Sequence, residues 1–162
     1  MTGPTPGAFG LAKGGGWPMR IVRLGTFSRF GHACICEAVD AAGRAWIIEP
    51  MPTGCRVRLA EPGEFVWSDL QLTENQAQAI VTYARECIGL PYDWRSIAGF
   101  VLRFWGAKVR GESDDHADDR LLCSEMVVWA YRRAGIDLAP GKAPGDVSPG
   151  DLDEFLDNRR RA

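Results

Sequence analysis

The sequence predicts an α+β domain in which an antiparallel sheet packs against helices. Short alternating segments rich in β-branched residues occupy the chain between residues 19 and 70. Segments with apolar residues at helical spacing follow from residue 73 onwards. Because strands and helices are segregated along the chain, the pattern favours α+β over a parallel βαβ arrangement. The length of 162 residues fits one domain, which we place at residues 19–162.

The strands are predicted from alternation and from the turns between them. The turn DAAGR, with Gly43 near its end, joins two apolar segments as a hairpin. The sequence PMPTG is expected to end the second of these, and EFVWSDL at 64–70 is ambiguous between strand and loop. Residues 1–18 are rich in Gly and Pro, so we expect a flexible leader there. The predicted strands are Met19–Leu24, His32–Val39, Ala45–Glu49 and Cys55–Leu59.

Four helical segments follow the strands. Thr73 with Gln76 three residues later has the spacing of a capping box, and Gly89 is the expected C-cap. A helix beginning at Cys123 ends with Arg132, Arg133 and Gly135, which form a favourable stop signal. The remaining predictions are a helix at Trp94–Trp105, an acidic solvated loop at 111–119 and a short helix at Pro149–Leu156.

Composition excludes several classes of protein. Lys plus Arg total 19 and Asp plus Glu total 21, so the formal charge is −2 and no nucleic-acid partner is expected. No apolar segment approaches the roughly 20 residues of a transmembrane helix, and the N-terminal residues do not resemble a signal peptide. Localisation therefore stays open between the cytoplasm and another delivery route, such as a virion component. The five cysteines are odd in number and irregularly spaced, which favours reduced thiols.

Cys123 is the most informative position because it stands at the predicted start of a helix. Unpaired backbone N–H groups and the positive end of the helix dipole meet there, and both favour a thiolate. Such a setting lowers a thiol pKa from ~8.5 to roughly 3.5–7.5, particularly beside a protonated histidine. The thiolate is the nucleophilic form, so Cys123 is a candidate nucleophile. The other cysteines are interpreted as buried packing residues: Cys34, Cys36, Cys55 and Cys87.

The chain has two histidines that could serve as a base. His116 lies within a run of aspartates and is expected to be exposed. His32 begins an apolar strand after Gly31, where a loop meets the predicted sheet. Glu49 ends the strand that the hairpin turn pairs with that of His32. Glu49 is therefore either a partner of the imidazole or a solvated strand end, and spacing leaves both interpretations open.

A metal site is the main alternative use of these side chains. His32, Cys34 and Cys36 alternate along one predicted strand, so their side chains share a face. Structural zinc takes four ligands from paired motifs, whereas here the fourth ligand would have to be Cys55 and no CxxC pair exists. We therefore expect neither a metal nor an organic cofactor.

Several motifs together resemble a known family. They are Gly31–His32 before a strand, Glu49 at the end of the next, GLPYDW at 89–94, LLCSEMVVWAYRRAGI at 121–136 and SPGDL at 148–152. This set resembles the circularly permuted branch of the NlpC-type, papain-like cysteine hydrolases, and within it the YiiX/YaeF-like proteins. The resemblance covers roughly His32 to Leu152. The residues SRFG before His32 depart from the aromatic–serine pair of many members, and the leader and acidic loop have no clear counterpart.

The resemblance implies a permuted papain-like fold and a Cys-His-Glu triad. Cys123 would be the nucleophile, His32 the general base and acid, and Glu49 the group that orients His32. Tyr92 would line the substrate pocket near the cysteine. The implied activity is that of a peptidase or amidase acting through a thioester, with cell-wall peptides among the substrates. Hydrolysis or transfer of acyl lipids on the same fold is one alternative, and a non-catalytic binding or structural module is another.

Overall fold

The computed structural model describes residues 3–13, 28–91 and 122–161. The strands in these ranges form one antiparallel sheet in the order β4-β3-β2-β1-β5. Three α-helices are described, with a 3₁₀ helix (Pro144–Asp146) between the last two. The elements are β1 (Phe9–Ala12), β2 (His32–Val39), β3 (Ala45–Met51), β4 (Gly54–Leu59), β5 (Val66–Trp67), α1 (Glu74–Glu86), α2 (Cys123–Arg133) and α3 (Pro149–Arg161). The predicted α+β class with an antiparallel sheet is confirmed.

Strand β1 corrects the prediction of a flexible leader at residues 1–18 at four of those positions, Phe9–Ala12. Its four residues are buried and pair with β2 on one side and β5 on the other. Gly10 permits this position, because a Cβ there would lie 2.9 Å from the Trp67 ring and 3.0 Å from Cys34 Sγ. The glycine content was misleading since Gly10 provides close packing rather than flexibility. The predicted strand Met19–Leu24 lies outside the described residues.

The β3–β4 hairpin differs from the expected break at PMPTG. Pairing continues as far as Met51 opposite Gly54, so only two residues form the turn. Gly54 has φ +111°, a conformation that glycine adopts without strain. The ambiguous segment 64–70 contains β5, which is only two residues long.

Pro50 marks the point where β2 and β3 separate. Pairing between these strands reaches Ile35 opposite Ile48 and does not extend to Pro50 in β3. A proline has no backbone N–H to donate to a neighbouring strand, which limits the ladder on that side. Within the described sheet, the start of β2 therefore pairs with β1 and has no partner in β3.

The helix predictions are confirmed where the residues are described. The Thr73 N–H donates to Gln76 Oε1 at 3.0 Å, and the Gln76 N–H donates back to Thr73 Oγ1 at 3.3 Å, which completes the capping box of α1. Helix α1 ends before Gly89, which lies in the following turn with φ +88°, and α3 extends to Arg161. No described helix is long and apolar enough to cross a bilayer. The predicted helix Trp94–Trp105 and the loop 111–119 fall outside the described residues.

The two faces of the sheet carry separate apolar clusters. One face packs on the helices through residues such as Leu11, Ile35 and Ile48. The alternate residues form the second cluster on the opposite face, with Ala8, Ala12, Cys34, Cys36, Ala45, Ile47 and Phe65. His32 and Glu49 follow the alternation of this second face, whereas Cys123 belongs to the helix-facing cluster. His32 and Cys123 therefore approach each other at the start of β2.

Candidate active site

His32 and Glu49 form a buried pair across β2 and β3. His32 Nε2 lies 2.8 Å from Glu49 Oε2, and the two side chains are 6% and 1% exposed. Of the two interpretations of Glu49, the structure shows the imidazole partner rather than a solvated strand end. The hairpin that joins the two strands makes this contact, because it places both side chains on one face of the sheet.

Cys123 is the first residue of α2, as predicted. The N-cap residue, Leu122, offers no side-chain acceptor to the first-turn N–H groups, although its own N–H donates to Glu125 Oε2 at 3.3 Å. The cysteine sulfur instead receives hydrogen bonds from the backbone of Ser124 and of Ala33. Ala33 lies in the start of β2 that β3 leaves unpaired. The gap in the ladder therefore makes a strand backbone group available to the sulfur.

The pKa values of Cys123 and His32 shift in opposite directions for one reason. Burial raises the pKa of the Cys123 thiol, but the interactions with His32 and with the backbone of Ala33 and Ser124 together outweigh burial, so the net pKa is lowered. Burial likewise lowers the pKa of His32, whereas interaction with Cys123 and Glu49 raises it to about 9. Each group stabilises the charged form of the other. The site therefore shifts the equilibrium between the neutral pair and the thiolate–imidazolium pair towards the charged pair.

The two ring nitrogens of His32 have different roles. Nε2 is engaged by Glu49, which leaves Nδ1 for the interaction with Cys123. Nδ1 is buried and makes no aligned hydrogen bond with the described residues. The interaction of His32 with Cys123 therefore lacks the aligned hydrogen bond that the contact with Glu49 has. Long or misaligned hydrogen bonds between reactive groups are common in unliganded active sites.

Cys123 differs from the other cysteines, all of which are described and free. Burial raises the pKa of Cys36 and Cys55 to about 12 and that of Cys87 to about 11. The pKa of Cys34 also rises well above its ordinary value, again because of burial. Of the five cysteines, Cys123 alone has a lowered pKa, and therefore the thiolate character that a nucleophile needs.

Sequence reasoning missed three charged residues around Glu49. Arg56 Nη2 donates to Glu49 Oε1 at 2.9 Å, and Arg58 Nε donates to the same oxygen at 2.6 Å. Arg58 also binds Glu64. Burial raises the pKa of Glu49, but the contacts with His32, Arg58 and Arg56 lower it to about 2. The alternation in CRVRL was the available signal, because it places both arginines on the face of β4 that Glu49 occupies in β3.

The described residues do not converge on a metal ion. No group of three or more His, Cys, Asp or Glu side chains with suitable geometry is found among them. In the predicted alternative, Cys55 faces the helices whereas Cys34 and Cys36 lie in the cluster on the opposite face. A cation bound by His32 and Glu49 would have to displace the arginines that already occupy the carboxylate. The donor set of this site therefore does not fit a metal centre.

The tail motif SPGDL caps α3, and the residue before it anchors the start of α2. Ser124 Oγ donates to the carbonyl oxygen of Val147 at 2.5 Å, which ties α2 to the residue before the motif. The Ser148 N–H donates to Asp151 Oδ2 at 2.8 Å, and the Asp151 N–H donates to Ser148 Oγ at 3.2 Å. This reciprocal pair is a helix N-terminal cap. Tyr92, the predicted pocket residue, lies outside the described residues, as does His116.

Comparison with known proteins identifies the fold. No protein-family model matches the sequence, and neither does any curated protein. Among solved structures, the chain is similar to metalloprotein YiiX from Escherichia coli O157:H7, with a TM-score of 0.58 and 20% sequence identity. The similarity covers 85% of this chain and 70% of YiiX. At this identity the likeness concerns architecture, and the chain has the α+β fold of YiiX.

Proposed function

We propose that this protein is a cysteine hydrolase, with Cys123 as nucleophile, His32 as general base and acid, and Glu49 as the residue that orients the imidazole. The observation that carries the proposal is the buried contact of 2.8 Å between His32 and Glu49, next to the one cysteine with a lowered pKa. The order of contacts is carboxylate, imidazole, sulfur, as in a nucleophilic triad. The resemblance to permuted NlpC-type hydrolases supports the same assignment.

The proposed reaction is acyl transfer through a thioester. The Cys123 thiolate attacks the substrate carbonyl carbon, and the carbonyl electron pair moves to oxygen to form an oxyanion. The backbone N–H of Cys123 at the start of α2 is a donor for that oxyanion. When the carbonyl reforms, the bond to the leaving group breaks and the His32 imidazolium gives that group its proton. Water then loses a proton to His32, attacks the thioester and releases the thiolate.

The proposed substrate class is a peptide or amide, with cell-wall peptides first, and Tyr92 is proposed to line the pocket. This choice follows from the resemblance alone. Acyl lipids are the alternative substrate on the same fold. Both classes present a carbonyl to the thiolate, so incubation of the purified full chain with peptidoglycan fragments and with acyl-lipid vesicles distinguishes them by mass spectrometry of the products.

A thiol-reactive probe tests the nucleophile without knowledge of the substrate. A small chloroacetamide probe at pH 6.5 should label wild type at Cys123 and leave Cys123→Ala unlabelled. Cys87→Ala is the matched control, because its thiol pKa is about 11 and labelling should continue. Equal labelling of wild type and Cys123→Ala would contradict the proposal. Labelling at Cys123 without turnover of either substrate class would favour the non-catalytic module.

A metal-binding function like that named for YiiX is a competing hypothesis. Metal analysis of the purified full chain, compared with His32→Gln and Cys123→Ala, addresses it directly. Stoichiometric metal that is lost in both variants would replace the hydrolase proposal with a metal centre at this site. The arginine contacts of Glu49 argue for the opposite result.

A further inference from the structure

Glu49 is a buried carboxylate that contacts an imidazole and two guanidinium groups. His32 Nε2 lies 2.8 Å from Oε2, while Arg56 and Arg58 donate to Oε1 at 2.9 Å and 2.6 Å. Its side chain is 1% exposed, so these partners replace the water that an ionised carboxylate needs. The imidazole therefore shares its acceptor with two permanent positive charges.

The two arginines do not contribute equally. Arg58 contacts both carboxylate oxygens, with Nη2 at 3.2 Å from Oε2 in addition to Nε at Oε1. Arg56 contacts Oε1 alone and is 48% exposed, compared with 26% for Arg58. Both arginines donate two hydrogen bonds to Glu49, but Arg58 spans both carboxylate oxygens and is less exposed. Arg58 is therefore the stronger partner, because solvent screens it less.

Arg58 is itself held in place by a second carboxylate. Its Nη1 and Nη2 atoms donate to Glu64 at 2.9 Å and 2.5 Å, and Nη1 also donates to the carbonyl oxygen of Leu59. The guanidinium carbon lies 5.9 Å from the centre of the Phe65 ring, which is 6.4 Å from the ring of His32. Arg58 thus bridges Glu49 and Glu64 in a fixed orientation.

The charge on Glu49 affects how readily His32 gives its proton to the leaving group in the proposed reaction. A lone buried carboxylate would bind the imidazolium strongly and hinder the release of its proton to a leaving group. Among residues 3–13, 28–91 and 122–161, the charged or titratable groups around His32 are Glu49 from β3, Cys123 from α2 and Cys34 from its own strand. Arg56 and Arg58 from β4 follow behind Glu49, and Glu64 stands behind Arg58.

We propose that Arg58 is a positioning residue that neutralises Glu49, so that this carboxylate acts on His32 as an oriented hydrogen-bond acceptor rather than as a full counter-charge. Glu64 holds Arg58 in place and partly offsets its charge. The inference rests on the proposed role of His32 and adds a control on its proton affinity. Arg58 therefore lowers the pKa of His32, whereas Glu64 raises it.

Histidine NMR of the full chain provides the test. The chain has two histidines, so ¹⁵N-histidine labelling in a His116→Gln background leaves one imidazole to titrate. Arg58→Met should raise the pKa of His32 by about 1 unit, because a positive charge near the imidazolium is lost. Glu64→Gln should lower it, because a negative charge is lost. Arg58→Lys keeps the charge and should remain close to wild type.

Arg44→Met is the matched control, because Arg44 is an exposed arginine of the turn between β2 and β3 that pairs with Asp40. It should leave the pKa of His32 unchanged. Shifts of opposite sign in Arg58→Met and Glu64→Gln support the inference. An unchanged pKa, a shift of the same sign in both, or an equal shift in Arg44→Met would overturn it. If Arg58→Met does not fold, Glu64→Gln decides alone: a lowered pKa of His32 supports the inference, and an unchanged or raised pKa of His32 overturns it.

The failure of the proposed function has a different signature. Cys123→Ala should lower the pKa of His32, because the thiolate that supports the imidazolium is removed. If it does not, the triad proposal fails, whatever the result at Arg58. The contact between His32 and Glu49 does not involve Cys123. The effects of the Arg58 and Glu64 substitutions on the pKa of His32 can therefore also be measured in the Cys123→Ala background.

Discussion

Cys123 and Cys34 are two buried thiols in the same small region, yet their chemistry is opposite. Their residues are 5% and 0% exposed, so burial raises the pKa of both. Cys34 follows His32 by two positions in β2, whereas Cys123 is remote in sequence. Nevertheless, the pKa of Cys123 is lowered and that of Cys34 rises well above its ordinary value.

The difference comes from the groups that face each sulfur. Cys123 has the imidazole of His32 and backbone hydrogen bonds from Ala33 and Ser124, which together exceed the cost of burial. Cys34 lies within an apolar cluster and feels the negative charge of Glu49, which raises its pKa further. Proximity to a histidine along the chain therefore does not activate a thiol. Oriented donors at a helix start do.

Removal of β1 should abolish the difference in reactivity between Cys123 and Cys34. Deletion of residues 1–13 separates β2 from β5 and removes the strand that supports both Cys34 and His32. We expect loss of cooperative thermal unfolding by circular dichroism, with both thiols reacting equally with iodoacetamide. Deletion of residues 1–4 is the control, because they precede the first β1 contacts, and should change the midpoint little. An unchanged midpoint after the longer deletion would show that β1 is dispensable.

The pH dependence of alkylation should separate the two thiols over a wide range. Each unit of difference in pKa changes the thiolate fraction about tenfold. Cys123 should therefore react with iodoacetamide at pH 6 while Cys34 does not, as mapped by mass spectrometry. A second inflection for Cys123 should occur near pH 9, where His32 loses its proton. A single inflection near the ordinary thiol pKa would show that His32 does not interact with Cys123.

Glu49→Gln should weaken the site and destabilise the fold. Loss of one partner from a buried charge cluster costs about 3 kcal/mol of the free energy of unfolding. Urea unfolding at pH 7 measures this loss. The pKa of Glu49 is about 2 in the folded state and ordinarily 4.5, so its contribution is complete above pH 4.5 and is lost as the pH falls towards 2. The difference in the free energy of unfolding between wild type and Glu49→Gln should therefore become smaller below pH 4.5.

Glu37→Gln provides the control for that measurement. Glu37 pairs with the half-exposed Arg85 at 2.7 Å, and such surface pairs contribute about 0.5 kcal/mol. If the two substitutions have equal effects, the buried cluster around Glu49 has no special role in stability.

Gly10→Ala should affect Cys34 and leave Cys123 almost unchanged, which is the smallest expected effect. The new Cβ would lie 3.0 Å from Cys34 Sγ and 3.1 Å from Phe65 Cβ, so overpacking should cost about 1–3 kcal/mol. The double variant with Cys34→Ala should recover part of this loss in thermal unfolding, because the sulfur is removed. If stability is not recovered, the steric clash of the new Cβ is with Trp67 rather than with Cys34.

Local patterns predicted those elements whose signals are local. The strands at 32–39 and 45–49, the capping box at Thr73 and the helix start at Cys123 each depend on a few neighbouring residues. β1 was missed because four residues within a Gly-rich segment carry too little alternation. The arginines around Glu49 were missed because their contacts depend on hairpin register rather than on composition. The approach of Cys123 to His32 is non-local, and family resemblance was its only signal in the sequence.

The order of the elements along the chain has a consequence for biosynthesis. A ribosome releases the strands first, so the contacts of Glu49 with His32 and Arg58 involve residues that emerge well before α2. Because a domain generally folds as a unit, the site is completed only after α2 has also emerged. The Cys123 sulfur meets the His32 imidazole and the backbone of Ala33 only when α2 packs against the start of β2. An unfinished chain therefore carries an ordinary, weakly reactive thiol, and reactivity appears together with completion of the fold.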